Sequence, residues 1–322
     1  MNHSHFKLIS AALIAGAVLL TATSALAASC CGGGSAASLL LPKISKAMSN
    51  ATFDYEQYKG YWDKSGSHQD DPEGANYKQY RLNLGYGLRL ADRWQGSISL
   101  PYVYNDNKYA DGRERTNGLG DVALGFWYEN FDDIKCVWKV RSAADLIPAA
   151  YFGATLTIPT GISPYDDIDK TEDITGRGVY RLDGTMLLDK TIYPWNISAQ
   201  FTYGTHAARP VNRKNGKYIE PYDLKLGDRY VGTFSLGYTH FLESMDSLTF
   251  TAAYTDLTEE KETIDGHKND ASGMSKKSVS ATVAFSTMNR NWVYKATWSH
   301  GYEGENFPKT DIISIGVSHV YR

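Results

Sequence analysis

Three cysteines are the first side chains in this 322-residue chain whose type and spacing could do chemistry. Cys30 and Cys31 stand together at the head of a glycine run, Gly32–Gly34, and Cys136 lies far downstream. Adjacent thiols can ligate a soft metal or form a redox pair. Ala27-Ala28-Ser29-Cys30 is also a loose lipobox, which would make Cys30 a lipidated N-terminus. A disulfide from Cys30 or Cys31 to Cys136 is a third chemistry, open to any chain in an oxidising compartment. Cysteine spacing alone does not choose among them.

Two further groups invite a chemical reading. Asp166, Asp167, Asp169, Glu172 and Asp173 crowd one segment, and carboxylates at such density can hold Ca²⁺. The run lacks the glycine and spacing of an EF-hand loop, so it reads as a solvated charged loop. His240, His300 and His319 could serve as bases, but covalent catalysis needs a nucleophile within reach on the same face. No His-x-Ser or Ser-x-His pair supplies one, so neither an enzyme nor a resident cofactor is expected. The charge, 33 basic against 36 acidic residues, gives no case for a nucleic-acid partner.

The elements that must carry these residues are strands. From Tyr80 to Leu90, the alternate residues Tyr80, Leu82, Leu84, Tyr86, Leu88 and Leu90 are apolar or aromatic. The residues between them, Arg81, Asn83, Gly85, Gly87 and Arg89, are polar or lack a side chain. Side chains alternate across a strand, so one face is greasy and the other wet. Ahead of the strands lies an export signal. Lys7 precedes an apolar run from Leu8 to Leu20, too short to span a bilayer, and Ala25-Leu26-Ala27 is an A-x-A cleavage site. Residues 1–27 are therefore expected to leave as a signal peptide. Residues 28–50 would form a Cys/Gly-rich periplasmic segment and 51–322 a membrane domain.

The alternation recurs in twelve segments. They run Thr52–Trp62, Tyr77–Leu90, Gln95–Asn105, Gly120–Tyr128, Ala150–Pro159 and Val179–Lys190 in the first half. Asn196–Thr205, Arg229–Leu242, Ser247–Leu257, Lys277–Thr287, Trp292–Tyr302 and Asp311–Arg322 complete the set. Short connections such as Ala91–Trp94 and Glu243–Asp246 alternate with long polar ones such as Thr160–Gly178 and His206–Asp228, the last of which, Glu303–Thr310, is smaller; the long Glu129–Ala149 turn breaks the rhythm. Tyr102, Tyr104, Tyr128, Tyr193, Trp195, Trp292 and Tyr302 gather at strand ends, as aromatics do at membrane interfaces. The pattern predicts an all-β fold: a single twelve-stranded antiparallel transmembrane β-barrel in the Gram-negative outer membrane, with both termini periplasmic. A mean hydropathy of −0.39 suits a barrel whose every second strand residue faces a wet lumen.

Alternation puts Asp54, Glu56, Arg81, Arg89, Asp121, Arg181, Asp183, Asp189 and Lys295 on the lumen face. Mixed signs along the lining argue against strong ion selectivity. Leu39–Met48 is apolar enough for a short helix that plugs the lumen from below, or for a flexible tether. The final strand, Ser314-x-Gly316-x-x-His319-x-Tyr321, resembles the signal read by the barrel-assembly machinery, a partner thus implied besides the lipid bilayer. Arg322 departs from it by making the aromatic penultimate.

Two segments together resemble a known family. Asn117-Gly118-Leu119-Gly120-Asp121-Val122-Ala123-Leu124-Gly125 is similar to the GLGD-x-x-LG run of the MetA-pathway phenol-degradation family of outer-membrane barrels. Leu156-Thr157-Ile158-Pro159-Thr160-Gly161 is similar to its strand end, and Leu182–Lys190 follows in the expected order. The resemblance spans Tyr80 to the C-terminus and implies a transporter-like barrel without catalytic residues. Phenol as a substrate does not follow from it. The expected function is passive passage of small solutes, with twelve strands giving a pore narrower than that of a sixteen-stranded porin. The alternative is a structural or metal-handling barrel whose Cys30-Cys31 head binds a soft metal or recruits a periplasmic partner.

Overall fold

The computed structural model describes residues 39–43, 45–130, 136–289 and 291–322. The expected signal peptide, Cys30 and Cys31 lie outside the described residues, as does the side chain of Cys136. Twelve antiparallel strands close on themselves in sequence order. They are β1 (Ala47–Trp62), β2 (Lys78–Ala91), β3 (Trp94–Tyr109), β4 (Val122–Glu129), β5 (Ala149–Ile158) and β6 (Arg181–Ile192). The ring continues through β7 (Trp195–His206), β8 (Arg229–Phe241), β9 (Ser247–Glu259), β10 (Met274–Ser286), β11 (Trp292–Glu305) and β12 (Phe307–Tyr321). Pairing of β12 with β1, from Ala47–Tyr321 to Trp62–Phe307, closes the ring.

Closure follows from the strands' two faces. Leu82, Leu84, Tyr86, Leu88 and Leu90 are all exposed, as are Phe53, Phe126, Phe234 and Ile315 on other strands. This apolar surface is continuous around the barrel and faces lipid. Aromatic rings belt it at both ends: Tyr55, Tyr80 and Tyr104 at one, Trp94 with Tyr128 and Trp195 with Tyr238 at the other. Rings with one polar tip are held where hydrocarbon meets water. The protein is an outer-membrane β-barrel, its short turns at the periplasmic end.

The structure corrects the expected connections. The outer loops are more regular than solvated loops. Gly112–Leu119 folds back on β3 as a hairpin beyond the membrane. Within the expected His206–Asp228 loop, Arg209–Lys214 pairs with Lys217–Lys225. Thr263–Ile264 pairs with His267–Lys268 in the next outer loop and joins the same small sheet. Asn215-Gly216 and Asp265-Gly266 make the two turns, all four residues at positive φ, which is the signature of a tight hairpin. The expected Glu303–Thr310 loop is instead strand on both sides of Asn306, whose φ of 47° is one asparagine tolerates.

At the other end, the helix, one of the two readings of Leu39–Met48, does not form among the described residues. β1 begins at Ala47, and the described residues before it are non-helical. Pro42 has no amide proton to give a helix, and the Leu41 amide bonds to a wall side chain instead.

The lipid face supplies a direct test. Ile315 points outward mid-strand, so Ile315→Arg is expected to lower unfolding free energy in vesicles by about 2–4 kcal/mol. Ser280→Arg, on the wet face, should cost clearly less. Equal costs in urea titrations would contradict the assignment of the two faces.

Candidate functional site

The lumen has two unlike halves. Along β6–β11 the inner rows are rich in hydroxyls and bond across strands: Thr185–Thr202 at 3.0 Å, Ser198–Ser235 at 2.6 Å, Thr233–Thr255 at 3.1 Å and Thr282–Thr297 at 2.9 Å. Most of these residues are only part-buried, so this wall is wet. Along β1–β4 the inner rows are covered. Asp54, Glu56, Gln79, Asn83, Gln95, Asn105 and Asn107 are each at most 2 % exposed. Two inserted segments and a side-chain network account for that burial.

The periplasmic segment, residues 39–43 and 45, lies against the inner wall. Leu39 and Leu41 rest where Gly85 and Gly87 leave room: a Cβ on Gly87 would stand 2.5 Å from a Leu41 methyl. Leu41 packs with the inward side chains of Met48 and Val320. The Leu41 amide donates to Gln95 Oε1 at 2.8 Å, and Arg89 Nε and Nη2 donate to the carbonyls of Ser45 and Pro42 at 2.8 and 3.2 Å. Lys43 pairs with Glu129 at 2.8 Å, and Arg89 approaches the same carboxylate at 4.0 Å. The segment is thus a strap tied to β2, β3 and β4.

The outer segment, residues 159–180, crosses the other mouth. On one side, Asn107 Nδ2 and the Tyr109 hydroxyl of β3 donate to the Asp173 carboxylate at 2.7 and 3.0 Å. On the other, Arg177 donates two parallel bonds of 2.6 Å to Glu259 at the end of β9. In a ring of twelve, β3 and β9 face each other, so this loop bridges the lumen. Ile168, Ile174 and Val179 are buried within it. Asp166, Asp167 and Asp169 are exposed, as a solvated charged loop would have them, whereas Glu172 is half-buried and Asp173 buried. Asp166 accepts from the Ser163 amide and hydroxyl, while Asp167 pairs with Arg213 and Lys170 with Asp111. Burial pushes the carboxyls of Glu172 and Asp173 above the usual carboxylate range. Among the described residues no three or more His, Cys, Asp or Glu side chains are grouped to hold a metal ion.

The two motifs noted in the sequence meet at the root of this loop. Asp121 accepts the amide of Gly161 at 3.1 Å through one oxygen and that of Arg177 at 2.7 Å through the other. Thr160 Oγ1 donates to the Gly120 carbonyl at 2.6 Å. Gly176 passes so close that a Cβ would stand 2.2 Å from Asp121, which explains the glycine there. One carboxylate therefore clasps both ends of the bridge.

The predicted lumen residues separate accordingly. Arg81 lies between Glu56 at 3.4 Å and Asp54 at 3.8 Å, and it also bonds Gln79. Arg181 pairs with Asp183 at 2.9 Å, and Asp189 accepts from Asn196 at 3.0 Å. Arg89 ties the strap, Asp121 clasps the bridge, and Lys295, exposed on the wet wall, has no partner among the described residues. Sequence reasoning missed Gln95, Glu129, Arg177 and Glu259. Glu129 and Glu259 continue the inward phase of β4 and β9 by one step past the expected strand ends, so extending the alternation would have found them.

No protein-family model matches the chain. Among solved structures, it is similar to the COG4313 outer membrane channel from Pseudomonas putida F1, with a TM-score of 0.63 and 14 % identity over 90 % of this chain and 99 % of that one. The β domain of the Bordetella autotransporter BrkA matches with a TM-score of 0.47 and 12 % identity, over 86 % of this chain and 100 % of that one. The first likeness establishes a shared barrel fold.

Removing one partner of a buried ion pair costs about 3–5 kcal/mol. Glu259→Gln should therefore release the bridge, and Asp121→Asn, which keeps only one accepting oxygen for the two amides, should separately do the same. Trypsin should then cut after Lys170 or Arg177 at least about tenfold faster in detergent, with the barrel still heat-modifiable. Unchanged cleavage would show that the loop is held elsewhere.

Proposed function

We propose that the protein is a passive outer-membrane channel for small polar solutes, narrowed at each mouth by a segment of its own chain. The observation that carries this reading is the hydroxyl-lined, wet wall through the middle of β6–β11, beside a covered half. Ser and Thr hydroxyls both donate and accept, so such a wall replaces part of a passing solute's hydration without binding it tightly. The strap lies against the opposite half and the bridge crosses only the outer mouth, from β3 to β9, which leaves the hydroxyl wall below it as the path. A similar fold in a protein described as an outer membrane channel supports the same reading. Membership of the phenol-degradation family belongs to this proposal. The two motifs that carry the resemblance touch each other at Asp121 and Gly161, which supports reading them as one unit.

Planar-bilayer recording tests it. The mature protein should give small discrete conductance steps, and a variant lacking residues 28–45 should give larger ones. Gln95→Ala combined with Arg89→Ala, which unties the strap without removing it, should fall between them and flicker. Absence of steps in all three would overturn the channel.

A further inference from the structure

Charge on the inner wall divides by accessibility. The sequence alternates signs along the lining, but the fold hides the two signs unequally. Asp54 and Glu56 are each 1 % exposed and share Arg81; Glu259 is 4 % exposed and clamped by Arg177; Glu129 is held by Lys43. Asp183 is 6 % exposed and sits on Arg181. Asp189 is the exception, part-buried near the periplasmic end of β6 and taken up by Asn196.

Lys295 is the opposite case. It lies on the inner row of β11, is exposed, and has no hydrogen-bond or ion-pair partner among the described residues. Its registered neighbours explain why. Ala284 flanks it on β10 and Gly316 on β12, so nothing of opposite charge or comparable size stands beside it. Beyond Gly316 comes Thr52, and Asp54, next on the same inner row of β1, is already committed to Arg81 and Asn83. A lysine kept bare by two small neighbours therefore stands on the hydroxyl wall along which solutes would pass.

We infer that the pore favours small anions over cations and that Lys295 determines this preference. The inference rests on the channel reading and deepens it: the solutes are small anions, with organic carboxylates the natural class. An unpaired fixed charge in a narrow lumen raises the local concentration of the opposite ion, and salt screens the effect. The hydroxyl rows beside it would supply hydrogen bonds to carboxylate oxygens that leave their water.

Reversal potentials in a KCl gradient decide the matter, measured on the protein with and without residues 28–45. The expected result is a several-fold preference for chloride over potassium at low salt, shrinking at high salt. Lys295→Arg should keep the preference, Lys295→Gln should abolish most of it, and Lys295→Glu should invert it. A cation-preferring wild type, or a Lys295→Glu variant with unchanged reversal potential, would overturn the inference and leave the channel intact. Absence of conductance in both forms would overturn the channel reading, and this inference with it.

Discussion

Every peptide group that this chain carries into the bilayer must find its hydrogen bond within the protein. In hydrocarbon no water replaces a missing partner, and an unpaired amide costs several kcal/mol. A sheet that crosses lipid can therefore have no open edge. The seam between β12 and β1 meets that demand in register from Ala47–Tyr321 upward, and the other features of the molecule are consequences of a closed ring. Closure forces one row of side chains out into lipid and the other into a lumen. It also leaves the lumen too wide for strand side chains alone to fill.

What fills it comes from chain that is not barrel. Buried apolar clusters lie at the mouths: Leu41, Met48 and Val320 at one end, with Val179, Val211, Leu224 and Leu226 in the outer loops at the other. The strap and the bridge thus gain their stability as soluble segments do, by burying aliphatic side chains and satisfying backbone groups on a preformed surface. The strap leans on β2–β4 and the bridge on β3 before it crosses to β9, so the β1–β4 wall is dry and rich in amide and carboxylate contacts. The wall left bare is the one built from threonine and serine.

The bridge shows how short motifs acquire a physical meaning. Asp121 has two oxygens and gives one to each root of a loop that starts and ends beside it, at Gly161 and Arg177. Glycines stand at Gly161 and Gly176 because the two arms of that loop touch backbone to backbone there. An aspartate between glycines, and a threonine–glycine pair some forty residues on, form the two halves of one clasp.

The amino-acid sequence by itself determined the strands, their number and which face of each meets lipid. Hydrophobic alternation is a local, repeated signal, and a shift of one residue would turn a whole face the wrong way. Even the missed outer hairpins were written locally, in Asn215-Gly216 and Asp265-Gly266. The strap, the bridge and the ion pairs could not be read in that way, because each joins residues distant in sequence: Leu41 with Gln95, Asp173 with Asn107, Arg177 with Glu259. Local pattern assigned Arg81, Asp183 and Lys295 alike to the lumen row. Only the closed barrel decided that Arg81 and Asp183 are buried in partnerships while Lys295 is bare, since a side chain's accessibility depends on what the opposite and neighbouring strands bring to it.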